Sequence, residues 1–293
     1  MAVYVKIMGG LGNQMFQFAM GYAMARSKNT VLQLDVRSFA ESADEDAPKR
    51  TFGLTYFDIP AVVADSKILD AKFQRSYSRL SRYLGIGRMH KIDEEDFSYN
   101  PAYRTQCLPV YINGYFQSEK YFLDYAEELR NIFLKNTIVK ESDYWYNEIK
   151  SSEIPVSIHL RRGDYIQHPK TLKIHGICEV NYYEKAVKRI LENYPAAQFF
   201  VFSDDIPAAE KELGHLSNNL IFVEHKKSQI EPYDMLLMGN CKHNIIANSS
   251  YSWWGAWLNE NPDKMVIAPQ RWFADEAMQA QTRDLIPETW IRL

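Results

Sequence analysis

The chain has 293 residues, 37 acidic and 34 basic side chains, a formal net charge of −3, and 46% hydrophobic and 14% aromatic content. This is the composition of a globular protein long enough for two domains at ~100–200 residues each, with no basic region to hold a nucleic acid. No apolar run approaches the ~18 residues of a membrane-spanning helix. Cys107, Cys178 and Cys241 are odd in number and widely spaced, which fits neither a disulfide framework nor a CxxC metal site. The N-terminus lacks the regions of a signal peptide, so a cytoplasmic protein is expected. Nineteen tyrosines and six tryptophans are read first as core and interface, and second as faces for a sugar or nucleotide.

The first element is a strand over 3–8, followed by MGGLGNQMFQFAM (8–20) and a helix, apolar nearly all round, over 14–26. A second strand follows at 31–36, giving a β-loop-α-β start with the glycines at the helix N-terminus. The segment 40–150 is irregular, with helices expected near 64–84 and 118–134. SSEIP (151–155) is the expected boundary. Beyond it, strands at 156–160, 198–203, 219–223, 244–248 and 264–268 alternate with helices at 181–194, 206–213, 230–240 and 251–261. For the first of these helices Asn181 is the expected cap, with Glu184 completing a capping box. Such alternation predicts a parallel sheet covered on both faces, with ligands beyond the carboxyl ends of its strands.

The strand ends are therefore where chemistry is sought. HLRRGDY (159–165) places His159 and Arg161 on one face of an extended segment and Arg162 on the other. One arginine can meet a ligand while the other is held by a carboxylate such as Asp164. A guanidinium fork matches phosphate oxygens bidentately, although a purely structural ion-pair cluster is the competing reading. Asp204 and Asp205 suit helix capping before Ile206-Pro207 together with bonds to the arginines, in preference to a metal pair. Asn248-Ser249-Ser250 opens the next helix with small residues and free N–H groups, an anion site. The glycine loop lacks the lysine of a P-loop and carries Met15 where GxGxxG requires glycine, so it offers donors without charge. Arg161, in the other domain, would supply that charge to a diphosphate held from both sides.

GGLGNQMFQFA, NGYFQSEKYF (113–122), HLRRGDY, VFSDD (201–205), YDMLLMGNCKHNIIANSSYSWWGAWL (233–258) and VIAPQRWF (266–273) occur in one order. With these motifs the chain resembles glycosyltransferase family 11, the α-1,2-fucosyltransferases, in its bacterial branch. The resemblance implies an α/β fold of the GT-B type, two Rossmann-like domains facing across a cleft. Residues 1–152 would form an acceptor-side domain and 153–293 a GDP-fucose-binding domain, with the last helix packing back on the first.

By the same resemblance, Arg161 binds the β-phosphate of GDP-fucose and His159 contacts the guanine. Asp234 receives the guanine edge, Ser249 and Ser250 touch the diphosphate, and Gly12 and Asn13 lie near the phosphates and the acceptor. Arg162, Asp204 and Asp205 take supporting roles. The glutamate base of α-1,6 relatives has no evident counterpart, which leaves Asp164, His168 and His175 as candidates for the base. The implied reaction is inverting transfer of L-fucose to the 2-OH of a terminal galactoside in surface glycan synthesis, with no metal or other cofactor. Its partners would be GDP-fucose and a galactose-terminated acceptor, with peripheral membrane association allowed if that acceptor is lipid-linked. A silent GDP-sugar-binding protein, another linkage or another GDP-deoxysugar are the alternatives.

Overall fold

The computed structural model of the chain describes residues 1–40, 50–74, 89–135, 138–162, 169–224 and 230–293. These residues form two compact units, 1–132 with 283–285, and 133–282 with 286–293. The chain passes between them near 132/133, ahead of the expected boundary at 152. The helix Tyr144–Ser151 packs on the helix Tyr233–Gly239 and so belongs to the second unit. Residues 283–285, which overlap the 3-10 turn Thr282–Asp284, group with the first unit, and the last strand belongs to the second sheet.

In the first unit, β1 (Ala2–Lys6), β2 (Val31–Asp35), β3 (Val62–Val63), β4 (His90–Asp93) and β5 (Val110–Asn113) form a parallel sheet ordered β3-β2-β1-β5-β4. Helix α1 (Leu11–Ser27) is buried from Leu11 to Ala25 apart from Asn13, which accounts for its lack of a polar face. Gly21 is required where α1 crosses the sheet, because a Cβ there would stand 2.4 Å from Val5 Cγ2. Helix α2 (Ser66–Gln74) is shorter than the helix expected over 64–84, whose remainder lies outside the described residues. The helix expected over 118–134 is instead two 3-10 turns, Glu119–Tyr121 and Leu123–Tyr125, before α3 (Ala126–Leu134). Ser118 accepts from Lys120 N and so caps the first turn.

In the second unit the strands are β6 (Pro155–Leu160), β7 (Gln198–Ser203), β8 (Leu220–Phe222), β9 (His243–Ile245), β10 (Val266–Ala268) and β11 (Ile291–Arg292). Their order is β11-β10-β9-β6-β7-β8, all neighbours parallel. This is the doubly wound Rossmann order, and its direction reverses between β6 and β9. Every residue of β6 is buried, as a central parallel strand with both faces covered must be. The helices are α4 (Tyr144–Ser151), α5 (Pro169–His175), α6 (Val180–Asn193), α7 (Ile206–Leu213), α8 (Tyr233–Gly239), α9 (Ser250–Leu258) and α10 (Glu276–Gln279). The capping box expected at Asn181 is not formed. Helix α6 starts one residue earlier, after Glu179, without a side-chain cap. The two Rossmann-like units are those expected of a GT-B chain. No helix among the described residues is long and apolar enough to cross a membrane.

Candidate active site

At the carboxyl edge of the second sheet, β6 delivers His159, Arg161 and Arg162. Arg162 is 2% exposed and its guanidinium is fully engaged. Nε and Nη2 donate to the Glu212 carboxylate at 2.6–3.1 Å, Nη2 also donates to Cys178 O at 2.8 Å, and Nη1 to Arg161 O at 3.0 Å. Its carboxylate partner is thus Glu212 of α7. The expected Asp164 lies outside the described residues, as does His168. Asp204 accepts the Arg162 main-chain N–H at 2.9 Å, and Asp205 caps α7 by accepting from Ala208 N at 3.0 Å. Both acids are therefore engaged with the backbone around β6 and α7. Among the described residues no group of three acidic, histidine or cysteine side chains is arranged to hold a metal ion.

Arg161 takes the other direction. Its Nη1 donates to Ser249 Oγ at 3.4 Å, which links the end of β6 to the segment after β9. Ser249 is the N-cap of α9 and accepts from Tyr251 N at 3.3 Å, while Ser250 is the first helical residue. The opening N–H groups of a helix have no intrahelical acceptor and carry the positive end of its dipole. A guanidinium and these groups therefore meet at the reversal point of the sheet. Asn248 fixes the approach: its buried amide donates to His175 O at 2.9 Å and Trp272 O at 3.1 Å, and accepts from Cys178 Sγ. His175, the last residue of α5, packs its ring 5.4 Å from Phe273.

Tyr251 was not singled out by the sequence, yet it connects the site. Its hydroxyl donates to Glu231 O and accepts from Met235 N, tying α9 to the first turn of α8, where Asp234 lies. Its ring lies 5.8 Å from that of His159. His159, Arg161, Asp234, Ser249 and Ser250 are thus gathered around one tyrosine. His159 is 6% exposed, and burial, aided by Arg161, lowers its pKa to about 4. The imidazole is neutral at physiological pH, with one donor and one acceptor nitrogen. Its Nδ1 has no hydrogen-bond partner among the described residues.

In the first unit, Gly10 is the N-cap of α1, and Gly12 and Asn13 lie in its first turn. Two buried glutamines brace the loop. Gln14 donates to Gly9 O and Thr51 O at 2.9 and 2.8 Å and accepts from Gly53 N at 2.9 Å, while Gln17 accepts from Met8 N at 2.9 Å. Gln117, inside the NGYFQSEKYF motif but given no role by the sequence, donates from Nε2 to Asn13 Oδ1 at 2.7 Å.

A Rossmann sheet whose reversal point gathers an arginine, a helix N-terminus, a neutral histidine and a carboxylate has the donors for a diphosphate and the acceptor for a base edge. Comparison with known proteins agrees with a glycosyl-transferring class. The family model described as Glycosyl transferase family 11 matches residues 89–293. The chain is 35% identical to an alpha-1,2-colitosyltransferase of Escherichia coli, over 99% of this chain and 98% of that protein. It is 32% identical to the O-antigen biosynthesis glycosyltransferase WbnK of Escherichia coli, over 99% of this chain and all of that protein. A solved structure, the NodZ alpha-1,6-fucosyltransferase soaked with GDP-fucose, is a looser likeness, with 15% identity and a TM-score of 0.47 over 87% of this chain and 91% of that one. The chain belongs to glycosyltransferase family 11.

Proposed function

We propose that this glycosyltransferase moves L-fucose from GDP-β-L-fucose to the 2-OH of a terminal galactoside, with inversion, in the synthesis of a surface glycan. The observation that carries this reading is the bond from Arg161 to the N-cap of α9 beside His159 and Asp234. The anomeric carbon–oxygen bond to the diphosphate breaks through an oxocarbenium-like state as the acceptor 2-oxygen bonds to that carbon. The 2-OH proton passes to a base, for which Asp164, His168 and His175 are the candidates, and negative charge grows on the leaving GDP. Arg161 and the opening N–H groups of α9 would stabilise that charge more as the bond lengthens, and such differential binding accelerates transfer. Asp234 would accept from the guanine edge, and the neutral His159 ring would contact the same base. Asp204 and Asp205 serve the backbone in this reading, and turnover needs no divalent ion. A lipid-linked acceptor would bring the enzyme to a membrane surface.

A second donor is favoured by one observation, the 35% identity to a colitosyltransferase. Colitose is fucose without its 3-hydroxyl, so the phosphate and guanine contacts serve either donor. The test is to supply GDP-fucose and GDP-colitose separately with a panel of galactosides, in the presence and absence of chelator, and to assign product linkages by NMR. An α-1,2-fucosylated galactoside formed in chelator is expected. Preferential use of GDP-colitose would install the second reading, a requirement for magnesium or manganese would overturn the metal-free mechanism, and tight GDP binding without any product would leave a silent binder.

A further inference from the structure

Asn13 and Gln117 follow β1 and β5, the adjacent strands between which the order of the first sheet reverses. Their 2.7 Å hydrogen bond therefore spans that reversal point, and both sides of it are shaped for the contact. Gly9 has φ +79, and a Cβ on it would stand 2.9 Å from Asn13 Nδ2, so the amide fills space that only glycine leaves. Phe116, just before Gln117, has φ +51, a left-handed conformation unfavourable for a bulky side chain. The Glu94 carboxylate holds it there, accepting from Tyr115 N at 2.6 Å and Phe116 N at 2.8 Å. Gln117 itself is 7% exposed, whereas Asn13 is only partly buried. Strained backbone maintained by dedicated contacts is a frequent companion of functional positions.

The direction of the bond has a chemical consequence. Gln117 supplies the donor, so Asn13 Oδ1 is taken and Nδ2 is the end left to meet a ligand. We propose that Gln117 is a positioning residue that holds the Asn13 amide as an N–H donor for an oxygen of the nucleotide-sugar substrate. This rests on the transfer reading above. The oxygen belongs to a phosphate or to a sugar hydroxyl, both of which accept from an amide.

The test compares Gln117→Glu with Gln117→Met, with melting temperature measured for each. Glutamate is nearly isosteric but has no donor. Asn13 must turn round to donate to it, which presents Oδ1 to the substrate. Methionine removes the bond and leaves the amide free to take either orientation. The expected order of kcat/KM is wild type, then Met, then Glu, with the Glu variant down ~10²-fold, the scale of losing one preorganised donor. A residue that merely packs would give the reverse order, because Glu retains shape and a hydrogen bond. That order, or a wild-type-like Glu variant, would overturn the inference. Asn13→Asp reaches the same wrong face with Gln117 intact and decides the matter if the Gln117 variants unfold; wild-type turnover in Asn13→Asp would then overturn it. Calorimetric titration of GDP separates the two oxygens, since weakened GDP binding indicates a phosphate and unchanged GDP binding with reduced kcat/KM indicates a sugar hydroxyl. A wild type that neither binds GDP nor transfers would remove the transfer reading, and this inference with it.

Discussion

Arg161 Nη1 lies 3.4 Å from Ser249 Oγ, joining the ends of β6 and β9 across the one place where the second sheet reverses its order. Its neighbour, Arg162, is committed instead to Glu212 of α7. Replacing Arg161 by lysine keeps the charge but removes the two-pronged donor. Turnover should fall ~10²–10³-fold with the melting temperature nearly unchanged. A Lys variant within a few-fold of wild type in kcat would remove Arg161 from the transition state.

Asp234 sits in the first turn of α8, beside the Tyr251 hydroxyl that binds Met235 N. Guanine presents an N1–H and an amino group side by side, and a carboxylate accepts both. Adenine offers no such pair, and mismatching a buried polar group in this way can cost ~10⁴-fold. Asp234→Asn should therefore weaken GDP binding sharply and erase most preference for GDP over ADP, with folding intact. Calorimetry with the two nucleotides decides this, and an Asn variant that binds GDP as selectively as wild type would contradict it.

The Arg162–Glu212 pair predicts a loss of stability without a loss of chemistry. Removing one partner of a buried pair typically costs ~3–5 kcal/mol, and solvent at the Glu212 side chain, 29% exposed, reduces this to ~2–3 kcal/mol. Glu212→Gln should lower the denaturation midpoint by that amount and leave KM for the donor within twofold. If donor KM instead rises tenfold while stability holds, Glu212 acts on the ligand and not on the scaffold.

Titration should affect the two units in opposite senses. Burial lowers His159 and His243 to about 4 from 6.5, with Arg161 and Lys242 adding repulsion. The folded second unit then binds fewer protons than its unfolded chain between pH 6.5 and 4. The stability gained from neutral histidines is full above 6.5 and is lost as pH falls through that window, up to ~2 kcal/mol from His159 at pH 5. In the first unit, burial raises Glu94 to about 7 from 4.5, against the two backbone donors that favour its ionised form. That contribution is full below 4.5 and is lost as pH rises through 7. Acidification from pH 7 to 5 should weaken the second unit while strengthening the first, as read by hydrogen exchange in each. Uniform weakening would contradict these environments.

The sequence makes part of this site readable and hides the rest for a physical reason. His159, Arg161 and Arg162 lie within four residues at the end of an apolar run, so strand periodicity alone puts His159 and Arg161 on one face and Arg162 on the other, and Ser249-Ser250 sits where a strand meets an apolar helix. Glu212 lies on an amphipathic helix 50 residues from Arg162 and looks like a solvated charge until the fold closes. Tyr251 and Gln117 pass for core aromatics and loop polars because their partners, Met235 and Asn13, are distant in sequence. β4 and β5 escaped for a different reason. They are four residues each, and β4 buries only Ile92 fully, which leaves no period to detect.

Trp253, Trp254 and Trp257 of α9 are buried against one another, with Trp290 ring to ring against Trp253 at 5.4 Å. With Trp145 and Trp272 they make up all six tryptophans of the chain, and every one belongs to the second unit. Light absorbed near 295 nm is therefore absorbed by that unit alone, and the emission reports the second unit, with half of its emitters on the helix that begins at Ser250. The first unit, lit only through its tyrosines, is dark at that wavelength. Unfolding followed by tryptophan emission and by far-ultraviolet dichroism on the same sample thus separates the two units optically, with no label attached and no residue changed.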